Sequence, residues 1–224
     1  TIVDVKQKLM EIEFNVPKKE RDFAKLKLIK AFPVEGEKYK KRVIALYESR
    51  TRQKVKRAAP GGEGYVIDHF DSTAVANYLQ HIDSAFVASK TPYPHTFFND
   101  SYEVYGANWT PNLLTEFEKF HGYKRQDKFP EFLDGDAVVV SDYRETLGDM
   151  LLHNFTEQWT KWANKRGAIT RNQAHGSPAN LIDCYAAVDI PEIEGFGLTD
   201  FGITGLRKDP GTTRPNSSDL SMLK

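Results

Sequence analysis

The chain has 224 residues and a mass of 25.5 kDa, which suits one domain of ~100–200 residues or part of a barrel that usually needs ~250. No apolar run approaches the ~20 residues of a membrane span, and the single Cys184 excludes an internal disulfide and a cysteine-based zinc module. The 31 basic and 31 acidic side chains balance overall, but residues 1–57 hold 17 Lys and Arg against 8 Asp and Glu, and residues 58–224 hold 14 against 23.

The basic residues of the N-terminal part alternate with apolar residues, and no series of aromatic side chains accompanies them for base stacking. We interpret them as a solvated face, and we expect no nucleic acid among the partners and no membrane span. The acidic remainder is more informative, because carboxylate-rich clefts suit sugars and cations.

The first predicted elements are a basic lead, a strand and a glycine-rich loop. Residues 1–42 show no clear period and are predicted as a short irregular segment with pieces of strand and helix. The apolar run at 43–47 is typical of a buried strand. The loop at 59–64 lacks a following Gly-Lys-Ser/Thr, which argues against a phosphate cradle.

From residue 65 onward, strand patterns alternate with helix patterns. Strands are predicted at 65–70, 96–103, 138–140, 168–175 and 185–192. Helices are predicted to start at the capping pairs Asp71-Ser72, Thr110-Pro111 and Ser141-Asp142. The second is predicted to stop at Gly122, and the apolar stripes of the first and third helices include Tyr78 and the core candidate Trp159. This alternation requires right-handed crossovers and a parallel sheet.

The predicted fold class is α/β, in the form of a (β/α)8 TIM-barrel-like fold. We favour it over an open doubly wound sheet because the dinucleotide fingerprint is missing and polar side chains follow the strands. About six strands are found, and a last candidate helix begins at Ser218. We therefore expect a partial sequence, with an incomplete catalytic barrel over residues 43–224 after the basic segment 1–42.

The NDSYE motif at residues 99–103 follows an apolar strand and is the sharpest candidate for catalysis. A glycosidase needs a carboxylic acid to protonate the leaving oxygen, and strand-end glutamates commonly supply it in barrels. We assign Glu103 as the proton donor and Asp100 as a substrate-binding residue. The alternative is a surface carboxylate at a strand–loop junction.

The DIPEIE motif at residues 189–194 places Glu192 and Glu194 on the same face of an extended segment. Two carboxylates in one small volume raise one another's pKa or recruit a cation. Both glutamates are therefore catalytic candidates, and Asp189 is a binding candidate. The alternative is a solvated acidic turn.

The QAHGSP motif at residues 173–178 contributes Gln173 and His175, with Asp68 and His69 as neighbours on another strand end. Three interpretations stay open: ligation of zinc or iron, binding of sugar hydroxyls, and structural hydrogen bonding. Metal ligation is the weakest, because neither HxH nor HExxH occurs. Trp109 lies close to these polar positions in the sequence and offers an aromatic face to a pyranose ring.

Five ordered segments together resemble the catalytic barrel of glycoside hydrolase family 106, the α-L-rhamnosidases of bacterial polysaccharide breakdown. The resemblance extends over roughly residues 43–224 and is carried by KRAAPGGEG at 56–64, DHF at 68–70, NDSYE at 99–103 with NWT at 108–110, QAHGSP at 173–178 and DIPEIE at 189–194.

This resemblance implies an inverting, calcium-assisted hydrolase that acts on terminal α-L-rhamnose in plant or related polysaccharides, in the periplasm or at the cell surface. It implies that Glu103 is the general acid, and that Asp68, His69, Gln173, His175, Asp189, Glu192 and Glu194 line the pocket. Family members are much longer, so the glutamate that activates water is expected to lie either at 192 or 194 or beyond Lys224. We expect little turnover from this chain alone, and a non-catalytic carbohydrate-binding fragment is the alternative.

Overall fold

The computed structural model describes residues 27–35, 41–48 and 50–192. Its first feature is an antiparallel pair in which β1 (Lys27–Glu35) runs beside β2 (Lys41–Glu48). The strand predicted at 43–47 is confirmed within β2. Residues 27–35 are more regular than expected, because β2 supplies backbone partners to β1. The expected boundary after residue 42 falls inside β2, and the division into domains stays a prediction.

Residues 65–70 do not form the predicted strand. Tyr65 makes one isolated antiparallel bridge with Lys54, and the Val66 amide donates to the Gln53 carbonyl at 3.0 Å. The chain then turns at once, with the Asp71 amide donating to the Asp68 carbonyl at 3.3 Å. This turn ends the extended conformation before a ladder can form.

Helix α1 (Ser72–Ser89) begins where the sequence predicts, because the Asp71 carboxylate accepts the Thr73 amide at 2.9 Å. Val75 and Leu79 are buried against Trp159 and Val188. Tyr78, which the helical pattern places on the same stripe, is instead 49% exposed.

The described part of the chain contains a three-stranded parallel sheet. It contains β3 (Thr96–Asn99), β4 (Ile169–Asn172) and β5 (Ile190–Pro191) in that order. The register pairs Asn99 with Asn172, and Asn172 with Pro191. Parallel strands that are neighbours in chain order confirm the predicted α/β sheet, while closure into an eight-stranded barrel stays a prediction.

A long helical connection joins β3 to β4. It consists of α2 (Leu113–His121), a 3-10 turn (Arg125–Lys128), α3 (Phe129–Leu133), α4 (Ala137–Leu151), a π-helical segment (Leu152–Glu157) and α5 (Gln158–Asn164). As predicted, α2 ends at Gly122, which has a φ of 72°.

Three predictions in this connection are wrong. Residues 138–140 belong to α4 and not to a strand, because the Asp136 carboxylate caps the helix by accepting the Val138 and Val139 amides at 3.1 and 3.0 Å. Helix α4 therefore starts before Ser141. The first residue of α2 is Leu113, with Asn112 as its N-cap, so the helix begins later than Thr110-Pro111 predicts.

The last described elements are α6 (Leu181–Ala186) and the short β5, so the strand predicted at 185–192 is wrong over its first residues. Asn180 caps α6 by accepting the Ile182 amide at 3.1 Å. Trp159, predicted as a core residue, is 7% exposed. Within the described ranges, no helix has the length and apolar character to cross a bilayer.

Candidate active site

The carboxyl ends of the three parallel strands form a continuous polar edge. The Asn99 side-chain amide donates to Asn172 Oδ1 at 2.8 Å, and the Gln173 backbone amide donates to the Asn99 carbonyl at 3.0 Å. Asn172 and Gln173 are 3% and 9% exposed. The two asparagines were not predicted as site residues, although their position at strand ends was the available signal.

Glu192 is fixed at this edge by three contacts. Its backbone amide donates to the Asn172 carbonyl at 3.0 Å, and its Oε1 accepts the Gln173 side-chain amide at 2.8 Å. Its Oε2 forms an ion pair with the Arg171 guanidinium. Gln173 and Glu192, both predicted, are thus brought together, and the buried Gln173 Oε1 has no hydrogen-bond partner in the described part of the chain.

A close backbone approach joins the NDSYE and QAHGSP segments. The Tyr102 amide donates to the His175 carbonyl at 2.8 Å. Gly176 follows with a φ of 81°, and a Cβ there would lie 2.6 Å from the Tyr102 carbonyl oxygen. Only glycine fits this position without strain, so His175 is held beside the chain that leads to Glu103.

His69 lies between two aromatic rings on the inner side of this junction. Its ring centroid is 5.3 Å from that of Tyr102 and 4.7 Å from that of Phe155. Burial lowers the pKa of His69 to about 4, against a smaller opposing effect of the Ile67 backbone. The imidazole is therefore neutral at pH 7, and its buried Nδ1 has no hydrogen-bond partner among the residues described.

Asp68 is a half-buried carboxyl next to this imidazole. Its Oδ1 accepts the Phe70 amide at 3.0 Å. Burial raises the pKa of Asp68 above its ordinary value, although hydrogen bonding partly offsets the effect. Burial also raises the pKa of Tyr102, and the negative charge of Asp68 adds to that shift. Two predicted residues, Asp68 and His69, thus lie in a desolvated environment.

Glu103 lies outside this buried region, on an exposed loop. Its Oε1 is 2.7 Å from Lys56 Nζ, and the pKa of Lys56 is raised by this hydrogen bond and by the charge of Glu103. The Gln53 side chain holds the same loop by donating to the Glu103 carbonyl at 2.6 Å and accepting the Tyr105 amide at 2.7 Å. Sequence reasoning missed Gln53 and Lys56, because no local pattern predicts contacts between loops about 50 positions apart.

The structure places the other predicted residues as follows. Asp100 is exposed and accepts the Ser101 amide at 2.8 Å. Trp109 packs against the core cluster that contains Phe70 and Leu113. Its buried Nε1 has no hydrogen-bond partner within the described ranges. Glu194 lies outside the described residues, so its predicted pairing with Glu192 stays a prediction.

Asp189 lies at the opposite, N-terminal end of β5. Its Oδ2 accepts the Thr170 amide at 2.8 Å, the Thr170 hydroxyl at 3.0 Å and the Asn164 side-chain amide at 3.0 Å. Burial opposes ionisation, but these hydrogen bonds outweigh it and hold the pKa of Asp189 below its ordinary value. The carboxylate joins the end of α5 to β4, and its predicted role in sugar binding stays a prediction.

Comparison with known proteins shows which family the chain belongs to. The sequence model of glycoside hydrolase family 106, described as alpha-L-rhamnosidase, matches residues 33–194. The chain belongs to this family. A putative beta-glucuronidase of Formosa agariphila is 25% identical to the family 106 chain over 159 residues, which cover 66% of the chain and 14% of that protein.

A solved rhamnosidase structure from Novosphingobium sp. PP1Y shares the fold of the family 106 chain. The TM-score is 0.56 at 24% sequence identity, over 62% of this chain and 15% of that one. The chain therefore spans about one seventh of the length of each of these two proteins. A rhamnosidase relative supports the α/β assignment made from the sheet.

The calcium ion that the family 106 resemblance implies finds no preformed set of carboxylate ligands in the described part of the predicted site, and calcium binding stays a prediction. The carboxylates there already have protein partners: Glu192 binds Arg171 and Gln173, Glu103 binds Lys56, and Asp189 is held by Thr170 and Asn164. Within the described ranges, no three His, Cys, Asp or Glu ligands converge at this edge. The same observation disfavours a histidine-centred metal site built on Asp68, His69 and His175.

Proposed function

We propose that the strand-end edge of this chain takes part in the inverting hydrolysis of terminal α-L-rhamnosides in plant or related polysaccharides. The observation that supports it best is Glu192, held at the carboxyl edge of a parallel sheet by Gln173 and Arg171, in a chain of the rhamnosidase family. Carboxylates at this edge of α/β folds are the usual site of chemistry.

Sugar binding is supported by buried polar atoms that lack partners in the described residues. His69 Nδ1 and Gln173 Oε1 are both of this kind. An unpaired buried polar group costs roughly 1–3 kcal/mol, so a sugar hydroxyl that fills either position relieves that cost. His175, Asp100 and Trp109 border the same segments and complete the proposed binding set, with the pyranose face against an aromatic ring.

The proposed mechanism uses two carboxyls about 6.5–9.5 Å apart, which leaves room for the attacking water. Glu103 donates a proton to the leaving oxygen. In the structure, Glu103 accepts a hydrogen bond from Lys56. Substrate binding therefore has to displace Lys56 before the Glu103 carboxyl can donate its proton. Glu192 or Glu194 activates the water, and the two donors on Glu192 fix its direction.

The test is rhamnose release from an aryl α-L-rhamnoside by the full-length protein. Glu103→Gln removes the transferable proton and is expected to lower kcat by about 10²–10⁴-fold, the usual contribution of a general acid. The matched control is Glu116→Gln, because Glu116 also pairs with a lysine, Lys119, at 3.4 Å, but lies on α2. An unchanged rate in Glu103→Gln removes Glu103 from the mechanism.

The same experiment distinguishes hydrolysis from the alternative function, which is carbohydrate binding without hydrolysis. That alternative has one observation in its favour: both described glutamates of the site accept bonds from cationic partners, Lys56 and Arg171. If the full-length protein binds rhamnose but releases none from the substrate, carbohydrate binding without hydrolysis replaces the proposal. Calcium dependence and a periplasmic or cell-surface location remain predictions.

A further inference from the structure

A second cluster of ionisable side chains lies away from the proposed active site, where the end of α2 meets α4. His121, Asp142 and Glu145 each offer one ligand atom, and these three atoms lie within 4.8 Å of one another. His121 and Asp142 are largely buried, with side chains 13% and 20% exposed, whereas Glu145 lies at the surface. Asp142 and Glu145 share a face of α4 because they are three residues apart.

Hydrogen bonding fixes which nitrogen of His121 faces the carboxylate. The Thr146 hydroxyl donates to the Asp142 carbonyl at 2.8 Å, so its only hydrogen is used. His121 Nε2, 3.0 Å from the same hydroxyl oxygen, must therefore be the donor in that contact. In the neutral ring this leaves Nδ1 with a bare lone pair.

That lone pair faces negative charge. Nδ1 lies 3.8 Å from Asp142 Oδ2, which is too far for a hydrogen bond. A neutral imidazole nitrogen and a carboxylate oxygen at this distance repel unless a proton on Nδ1 or a metal ion lies between them. The arrangement is that of a histidine and a carboxylate presented to a common positive ion.

Both partners also carry the outer hydrogen bonds that are typical of metal ligands. His121 donates its other ring nitrogen to Thr146, and Asp142 Oδ2 accepts the Tyr123 hydroxyl at 2.7 Å. Ligating histidines almost always donate their second N–H, and ligating carboxylates are themselves hydrogen-bonded.

We propose that His121, Asp142 and Glu145 form a binding site for a divalent transition-metal ion such as Zn²⁺. An imidazole with two carboxylates suits zinc-like ions, whereas calcium takes oxygen ligands alone. Zinc bonds of ~2.0–2.1 Å place tetrahedral ligands roughly 3.3 Å apart, so the side chains close by about 1 Å on binding. The ion links α2 to α4.

The test compares Zn²⁺ binding by chelator-treated full-length protein and its variants, using calorimetry and elemental analysis. His121→Gln and Glu145→Gln are each expected to bind one equivalent less than the wild-type protein. Glu145 is exposed, so its substitution keeps the test valid even if His121→Gln fails to fold. Tyr123→Phe is expected to weaken binding 10–100-fold, as removal of an outer hydrogen bond does.

His153→Gln is the matched control, because His153 Nδ1 lies 3.3 Å from Glu157 Oε1 but has no third ligand among the described residues. It is expected to keep the full Zn²⁺ stoichiometry. Equal stoichiometry in the wild-type protein, His121→Gln and Glu145→Gln overturns the proposal. A site that takes Ca²⁺ in preference to Zn²⁺ and loses it in Glu145→Gln also overturns it.

Discussion

At the scale of single residues, Arg125 and His69 respond to burial in different ways. Arg125 is 3% exposed, and its guanidinium lies 4.1 Å from the Tyr143 ring centroid and 4.4 Å from that of Phe132. Aromatic faces attract a cation most strongly where water is excluded. Burial nevertheless lowers the pKa of Arg125. Burial also lowers the pKa of His69, and this side chain is neutral at pH 7.

The neutral state of His69 predicts acid sensitivity. Its pKa is about 4 in the folded chain, against an ordinary value near 6.5 in the unfolded chain. Between these values only the unfolded chain binds the proton, so the free energy of unfolding falls as the pH is lowered from 6.5 to 4. The full loss is on the order of 3 kcal/mol.

Urea unfolding at pH 7 and pH 4.5 measures this loss. His69→Gln is expected to flatten the pH dependence in that window, because it removes the imidazole that only the unfolded chain protonates there. If His69→Gln loses as much stability on acidification as the wild-type protein, the imidazole is not buried in its neutral form.

At the scale of elements, the sequence predicted some of the starts and stops that one side chain or one glycine determines. Asp71 and Gly122 are examples. The run Val138-Val139-Val140 was misassigned because β-branched residues favour strands on average, while the Asp136 cap and burial of Val139 favour the helix. The strand pattern of the sequence was sufficient to predict polar side chains at the strand ends, at Asn99 and Gln173. It was not sufficient to predict the partners of Glu103, because they come from a distant loop.

The junction between the two motif segments predicts a large effect of a small substitution. Gly176→Ala adds a Cβ 2.6 Å from the Tyr102 carbonyl oxygen, so the backbone has to move. Gly135→Ala is the matched control, because Gly135 has the same φ of 81° with nothing within 4 Å. In Gly135→Ala, only the left-handed conformation lowers the free energy of unfolding, by about 1–2 kcal/mol.

Chemical denaturation of both variants measures the difference. We expect Gly176→Ala to be destabilised more than Gly135→Ala, and aryl rhamnoside turnover to fall in Gly176→Ala alone. Equal stability of the two variants would mean that the approach of Tyr102 to Gly176 is not tight.

At the scale of the whole molecule, one ion pair connects the first helix to the end of the helical connection. Asp83 on α1 binds Arg166 after α5, and also accepts the Tyr93 hydroxyl at 2.9 Å and the Trp162 indole N–H at 3.1 Å. The hydrogen bond from Arg166 is the main reason that the pKa of Asp83 is lowered. The stabilisation is therefore present above the ordinary carboxyl pKa and is lost as the pH falls through the lowered one.

Asp83→Asn is expected to lower the free energy of unfolding at pH 7 by about 1–3 kcal/mol, because several charge-assisted hydrogen bonds weaken together. Glu157→Gln is the control, since its pair with Lys161 is exposed and joins neighbouring turns. Thermal unfolding of both variants decides the point: a loss in Asp83→Asn no larger than that in Glu157→Gln contradicts a linking role for Asp83.

The π-helical turn at Leu152–Glu157 joins α4 directly to α5 and sets the rotational phase between these two helices. Before it, Leu147 and Leu151 face the Phe70 cluster; after it, Trp159 faces Val75 and Leu79. Within it, Asn154 donates to the Phe70 carbonyl at 2.7 Å. Deleting one residue there would restore ordinary winding and leave Trp159 on nearly the same side of the helix, because the wider turn is what accommodates the extra residue. A deletion in the α-helical turns on either side would instead rotate Trp159 by roughly 100° relative to Leu147 and move it away from Val75 and Leu79.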